Sequence, residues 1–154
     1  MVFSRTAEYA TRAMTYLALQ PPGKLTGARE IAEAERIPSP FLWKILQQLA
    51  RRKLIRSFKG QRGGYELARP PEQITLHTVV VSTDGEELLR DCVLGMERCD
   101  EAHPCPLHES WKSIRTQLAA LLEQTTLADL ARTAQRTSRR KVSRIRGAAP
   151  EENR

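Results

Sequence analysis

A mainly α-helical fold with one small β-hairpin is predicted by three features of this 154-residue sequence. Apolar residues recur at helical spacing through most of the first fifty positions. Two short β-prone runs flank a Gly-rich turn at residues 54–68, directly after a helix with one apolar and one polar face. An apolar series spaced 4, 3, 4, 3, 4 then begins at Leu107. Together they give a winged helix-turn-helix domain with a β-hairpin wing over residues 1–70. A loop and a long C-terminal dimerisation helix follow over 71–131, and a basic, disordered tail over 132–154.

Ser4 to Leu19 is the first helix, with Ala10, Ala13, Met14, Leu17 and Ala18 on one face and Pro21-Pro22-Gly23 as its stop. Thr26 is read as the N-cap of a second, short helix that buries Ala28, Ile31 and Ala32. Ser39-Pro40 then signals a third start, a capping hydroxyl before a proline at the first helical position. That helix runs to about Arg52 and buries Leu42, Ile45, Leu46 and Leu49. Phe41, Lys44, Gln48 and Arg51 lie on the other side, with Trp43 and Gln47 nearby. Two short helices across a tight turn, the second polar and basic on its free face, match a helix-turn-helix. Residues 54–58 and 65–68 are the hairpin strands, and Lys59 and Arg62 sit on the turn between them. Thr75 to Ser82 suits a short helix, although its β-branched run suits a strand as well. Residues 84–106 form a loop punctuated by Gly85, Gly95, Pro104 and Pro106. Leu107, Trp111, Ile114, Leu118, Leu121 and Thr125 give the spacing of a helix packed along another helix. Thr126 with Asp129 resembles a capping box for one last short helix, and after about Ala134 the composition is that of a disordered tail.

Charge is distributed unevenly. Residues 36–69 hold nine Lys/Arg against one acid, and residues 132–154 hold eight against two. Residues 70–131 hold eleven Asp/Glu against four Lys/Arg. The basic interior segment coincides with the helix-turn-helix and wing, which is the electrostatic footprint of a nucleic-acid binder. Lys44 has the reach for guanine O6 and N7, and Gln47 for an adenine edge. Ser39, Pro40, Phe41 and Trp43 complete the expected base-reading set. Lys59 and Arg62 are assigned to the minor groove or phosphates, and Arg51, Arg52 and Arg56 to phosphates or plain solubility. No apolar run approaches the roughly 18 residues of a membrane span. The N-terminus also lacks a signal-peptide pattern. A cytoplasmic protein with no membrane partner and no small-molecule substrate is expected. No Ser/His/Asp arrangement, phosphate-binding glycine loop or carboxylate pair points to an enzyme.

All three cysteines fall in the acidic loop, as Cys92-x₆-Cys99-x₅-Cys105-x₂-His108. An odd number argues against a disulfide framework. Clustered thiolates are soft ligands suited to iron–sulfur clusters and to zinc, and an imidazole can replace a thiolate on one iron of a two-iron cluster. His108 is the nearest fourth donor, with His103 and the more distant Glu8 as further candidates. Three Cys and one His also make a good structural zinc site, and bare cysteines can sense redox state. Spacing alone does not choose among these.

At this point the chain resembles the IscR/NsrR-type bacterial winged-helix repressors, over residues 1 to about 131. The likeness rests on Ser4-Arg5-Thr6-Ala7-Glu8-Tyr9-Ala10, on Ile37-Pro38 with Phe41-Leu42 and Ile45-Leu46, and on Gly60 and Gly63-Gly64-Tyr65. Its most specific part is the three cysteines with Cys105-Pro106-Leu107-His108, leading into the Trp111 helix. The resemblance implies a homodimer that sets two recognition helices in successive major grooves of a double-stranded DNA operator. Its cluster loop would lie near the dimer interface, close to the partner's first helix. It also implies an iron–sulfur cluster that controls operator affinity. Cys92, Cys99, Cys105 and His108 match the 2Fe–2S ligands of the IscR branch, with one extra residue between the first two cysteines. Glu8 stands where the 4Fe–4S proteins of the NsrR branch place an aspartate. The 2Fe–2S form with His108 is the expectation, and the holo form's effect on DNA affinity is left open.

Overall fold

The computed structural model describes residues 3–96 and 99–146. The chain runs α1 (Arg5–Ala18), α2 (Ala28–Glu35), α3 (Ser39–Arg51), β1 (Ile55–Phe58), β2 (Gly64–Leu67), α4 (Leu76–Asp84), α5 (His108–Gln124) and α6 (Leu127–Arg146). Short 3₁₀ turns cover Pro71–Gln73 and Glu87–Leu89. This is the expected mainly α fold with a β-hairpin wing.

The core follows from apolar periodicity. α1 buries Ala10, Ala13, Met14 and Leu17, and α3 buries Leu42, Ile45, Leu46 and Leu49, the residues its stripe predicts. α1 is central and packs against α2, α3, α4 and α6. Ile74, Val79 and Leu127 belong to the same buried cluster, so one core crosses the boundary expected near residue 70. Backbone bonds from Leu76 to Thr125 (2.8 Å) and from Leu127 to Ile74 (2.9 Å) close that joint. The Thr75–Ser82 run resolves as helix α4, capped by the Thr75 hydroxyl, which accepts from the Thr78 N–H.

Three local expectations are corrected. Thr26 is not the cap of α2; Gly27 is. Thr26 is instead fully buried and bridges to the wing, its N–H donating to Tyr65 O (3.0 Å) and its O accepting from Tyr65 N (2.8 Å). Ser39 is the first residue of α3 rather than its cap, because the Pro38 carbonyl already accepts from the Phe41 and Leu42 N–H groups. The last helix does not stop near Ala134. The Thr126 hydroxyl accepts from the Asp129 N–H (3.2 Å) and the Asp129 carboxylate accepts from the Thr126 N–H (3.0 Å), which is the expected capping box. From there α6 runs to Arg146. Ala, Arg, Gln and Lys are good helix formers, and no Gly or Pro interrupts the chain before Gly147. The part of the expected tail at residues 147–154 lies outside the described residues. No described helix is long and apolar enough to cross a membrane.

The hairpin pairs Ile55 with Leu67 and Phe58 with Gly64. A Cβ on Gly64 would lie 2.9 Å from the Thr26 carbonyl, at a positive φ of 152°. Gly64→Ala is therefore expected to cost about 1–3 kcal/mol. Chemical denaturation would measure the loss, and wing amides should exchange faster.

Candidate metal centre and nucleic-acid interface

Helix α3 splits its residues by face. Ser39, Pro40, Lys44 and Gln47 are exposed, and Phe41 and Trp43 are 58% and 53% exposed, an unusual position for large aromatics in a helix whose other face is core. Lys59 and Arg62 are exposed at the wing turn, which the Gly63 N–H closes on Gly60 O (3.0 Å). The eight residues expected to touch DNA thus form one accessible set on α3 and the wing. Phe58, outside the set expected from sequence, is 45% exposed at the end of β1 beside the wing turn. Its signal was an aromatic residue immediately before the turn. Arg56 is engaged with Glu66, its cross-strand partner, at 3.3 Å. Replacing Lys59 by Ala is expected to lower the slope of log affinity against log salt by about one if it meets a phosphate; binding isotherms at several salt concentrations measure it.

The cysteine loop is tethered to α5 along its length. The Trp111 indole N–H donates to Asp91 O (3.0 Å), Arg115 donates to Arg90 O (3.0 Å), and Lys112 pairs with Glu101. These ties hold the loop against the start of α5, where Cys99 meets the His108 imidazole. Cys92 and Cys105 are buried, and Cys99 is half-buried. Cys99 Sγ lies 3.5 Å from His108 Nδ1. N–H groups of Met96 and Leu94 at the sulfur hold the Cys92 thiol below its ordinary range, whereas burial pushes the Cys105 thiol up.

His108 opens α5, its N–H donating to Cys105 O (2.9 Å). Its side chain is buried, and Nε2 has no hydrogen-bond partner among the described residues. Buried ring nitrogens are normally satisfied, so an orphan on a ring that already touches Cys99 fits a missing ligand bond. His103 is not gathered in: it is exposed, and its ring lies beside Asp100. Glu8 pairs with Arg5 (3.4 Å), and no recorded bond among the described residues joins it to a cysteine. The donor chemistry fits a soft metal group. As they stand, though, no three His, Cys, Asp or Glu side chains among the described residues are gathered to hold a metal ion.

The comparisons with known proteins decide the family. Residues 3–133 match the family model described as "Rrf2: Iron-dependent Transcriptional regulator". This chain belongs to the Rrf2 family. Over 132 residues it is 36% identical to a protein of Aquifex aeolicus named as an HTH-type transcriptional regulator, covering 84% of this chain and 91% of that one. It is 33% identical over 131 residues to the HTH-type transcriptional regulator NsrR of Halalkalibacterium halodurans, covering 84% and 90%. Among solved structures it is similar to CymR, the global cysteine regulator of B. subtilis, with a TM-score of 0.71 at 26% identity over 85% of this chain and 96% of that chain. As an Rrf2 member it is a winged-helix transcriptional regulator of a non-enzymatic family, and DNA binding follows from that membership.

Proposed function

We propose that this Rrf2 protein is a homodimeric repressor whose operator affinity is set by an iron–sulfur cluster on Cys92, Cys99, Cys105 and His108. The observation that carries the reading is the buried His108 ring, whose Nδ1 lies 3.5 Å from Cys99 Sγ while its Nε2 is left without a partner among the described residues. When bound, the cluster supplies a link between loop and helix that is labile to oxidation, nitric oxide or iron loss. A 2Fe–2S form suits the Cys₃His donor set.

The chain's own residues offer a route from that loop to DNA. α4 ends at Asp84, where the loop begins. The Asp84 carboxylate accepts from the Ser4 N–H (2.9 Å) and from its hydroxyl at the start of α1. Two residues earlier, Ser82 O accepts from the Gln48 amide of α3 (2.8 Å). A loop that orders or loosens pulls on the joint that orients α3. Coupling of about 1–3 kcal/mol, typical of allostery, corresponds to about a 5–150-fold change in affinity. The dimer rests on α5 and the residue that precedes it: Leu107, Ile114 and Leu121 stay exposed in one protomer. The expected placement is cytoplasmic.

A second reading, a cofactor-free thiol sensor, draws support from the ungathered donors and the likeness to CymR. His108→Ala separates the two. Under the cluster reading the visible spectrum of the anaerobically reconstituted protein shifts or vanishes. An unchanged spectrum removes His108 as a ligand. Equal operator affinity of loaded and metal-free protein, on a duplex the wild-type protein selects from a randomised pool, sinks the switch.

A further inference from the structure

We infer that a cleft between the end of α3, the start of β1 and α4 binds a tetrahedral oxyanion. The cleft encloses about 280 Å³. Its polar lining is Arg52, Arg69, His77, Thr78 and Ser82, over an apolar floor of Leu54 and Val81. No lining residue is acidic. Arg52 and Arg69 are exposed, and neither has an ion-pair partner among the described residues, whereas nearby Arg56 is held by Glu66. Two unneutralised guanidiniums at one concavity repel each other unless an anion lies between them. Guanidinium presents paired N–H donors that match phosphoryl and sulfuryl oxygens. His77, Thr78, Val81 and Ser82 line the cleft along one side of α4.

Charge and donor geometry, not volume, select the ligand class: at about 280 Å³ the cleft has room to spare for a phosphoryl group, and its two guanidiniums favour an oxyanion. The same chemistry has two sources, a phosphodiester of bound duplex DNA or a free phosphate. The site also has mechanical reach: Ser82 lines it, and its carbonyl receives the Gln48 amide from the recognition helix. An anion seated there braces the α3–α4 joint. This inference does not rest on the cluster.

The test is a titration of inorganic phosphate into the full-length protein, replacing chloride at constant ionic strength, followed by the thermal midpoint. The wild type, the Arg52→Gln/Arg69→Gln double variant and an Arg29→Gln control are compared. A saturable rise in the wild type and control that is lost in the double variant is expected for a free phosphate. For a DNA phosphodiester, the double variant lowers the salt slope of duplex binding by about two. An Arg52→Lys/Arg69→Lys variant should restore part of either signal. Equal thermal rises in wild type and double variant, or no rise together with an unchanged salt slope, overturn the proposal.

Discussion

Replacing Ile114 and Leu121 together by aspartate is expected to turn the proposed dimer into a folded monomer and to weaken operator binding by about 10²–10⁴-fold. The two side chains are 54% and 58% exposed in the protomer, so their loss leaves the protomer's own core intact. They recur on one face of α5 with half-buried Leu118 between them, and large apolar side chains in a row mark an interaction surface. Two carboxylates in that seam would have to be desolvated against their symmetry mates, which opposes association. Separating the protomers turns a two-site contact with DNA into two single contacts and forfeits the avidity, about 10²–10⁴-fold. Sedimentation reads the mass, circular dichroism the fold, and a mobility shift the affinity. A variant that remains dimeric would remove α5 from the interface.

Leu46→Ala and Lys44→Ala should part company although they are two residues apart on α3. Leu46 is fully buried, and truncating a buried leucine costs about 2–5 kcal/mol. At this chain length the melting temperature falls by about 4–20 °C. Lys44 is exposed on the opposite face. Its truncation should change stability by less than about 0.5 kcal/mol, but if Lys44 makes the proposed base contact, operator binding weakens by about 1–3 kcal/mol, which is 5–150-fold. Thermal melts and binding isotherms on both variants check the split. A destabilised Lys44→Ala protein would contradict the assignment of faces.

What the sequence made legible was whatever depends on local periodicity. The four buried residues of α3 and the two hairpin strands follow from spacing alone, to within a residue at their ends. Thr26 was misread because its role is non-local: nothing near it in sequence shows that its backbone pairs with Tyr65, 39 positions later. The length of α6 was misread because charge density was weighed above helix propensity. In the loop, the donor types and their order were legible, and so was His108 as nearest neighbour. The discrimination against His103 was not, because it depends on the Asp100 contact that turns that ring to solvent. Gln48 looked like part of the free polar face; only the fold reveals its bond to Ser82.

The central claim, that Cys92, Cys99, Cys105 and His108 hold an iron–sulfur cluster, is tested most directly on freshly purified full-length protein under anaerobic conditions. The measurement is the ultraviolet–visible spectrum together with iron, acid-labile sulfide and zinc content. The account predicts a coloured protein with iron and sulfide in matching amounts, lost in Cys105→Ser. A colourless protein with stoichiometric zinc, or one without metal after reconstitution with iron and sulfide, would contradict it.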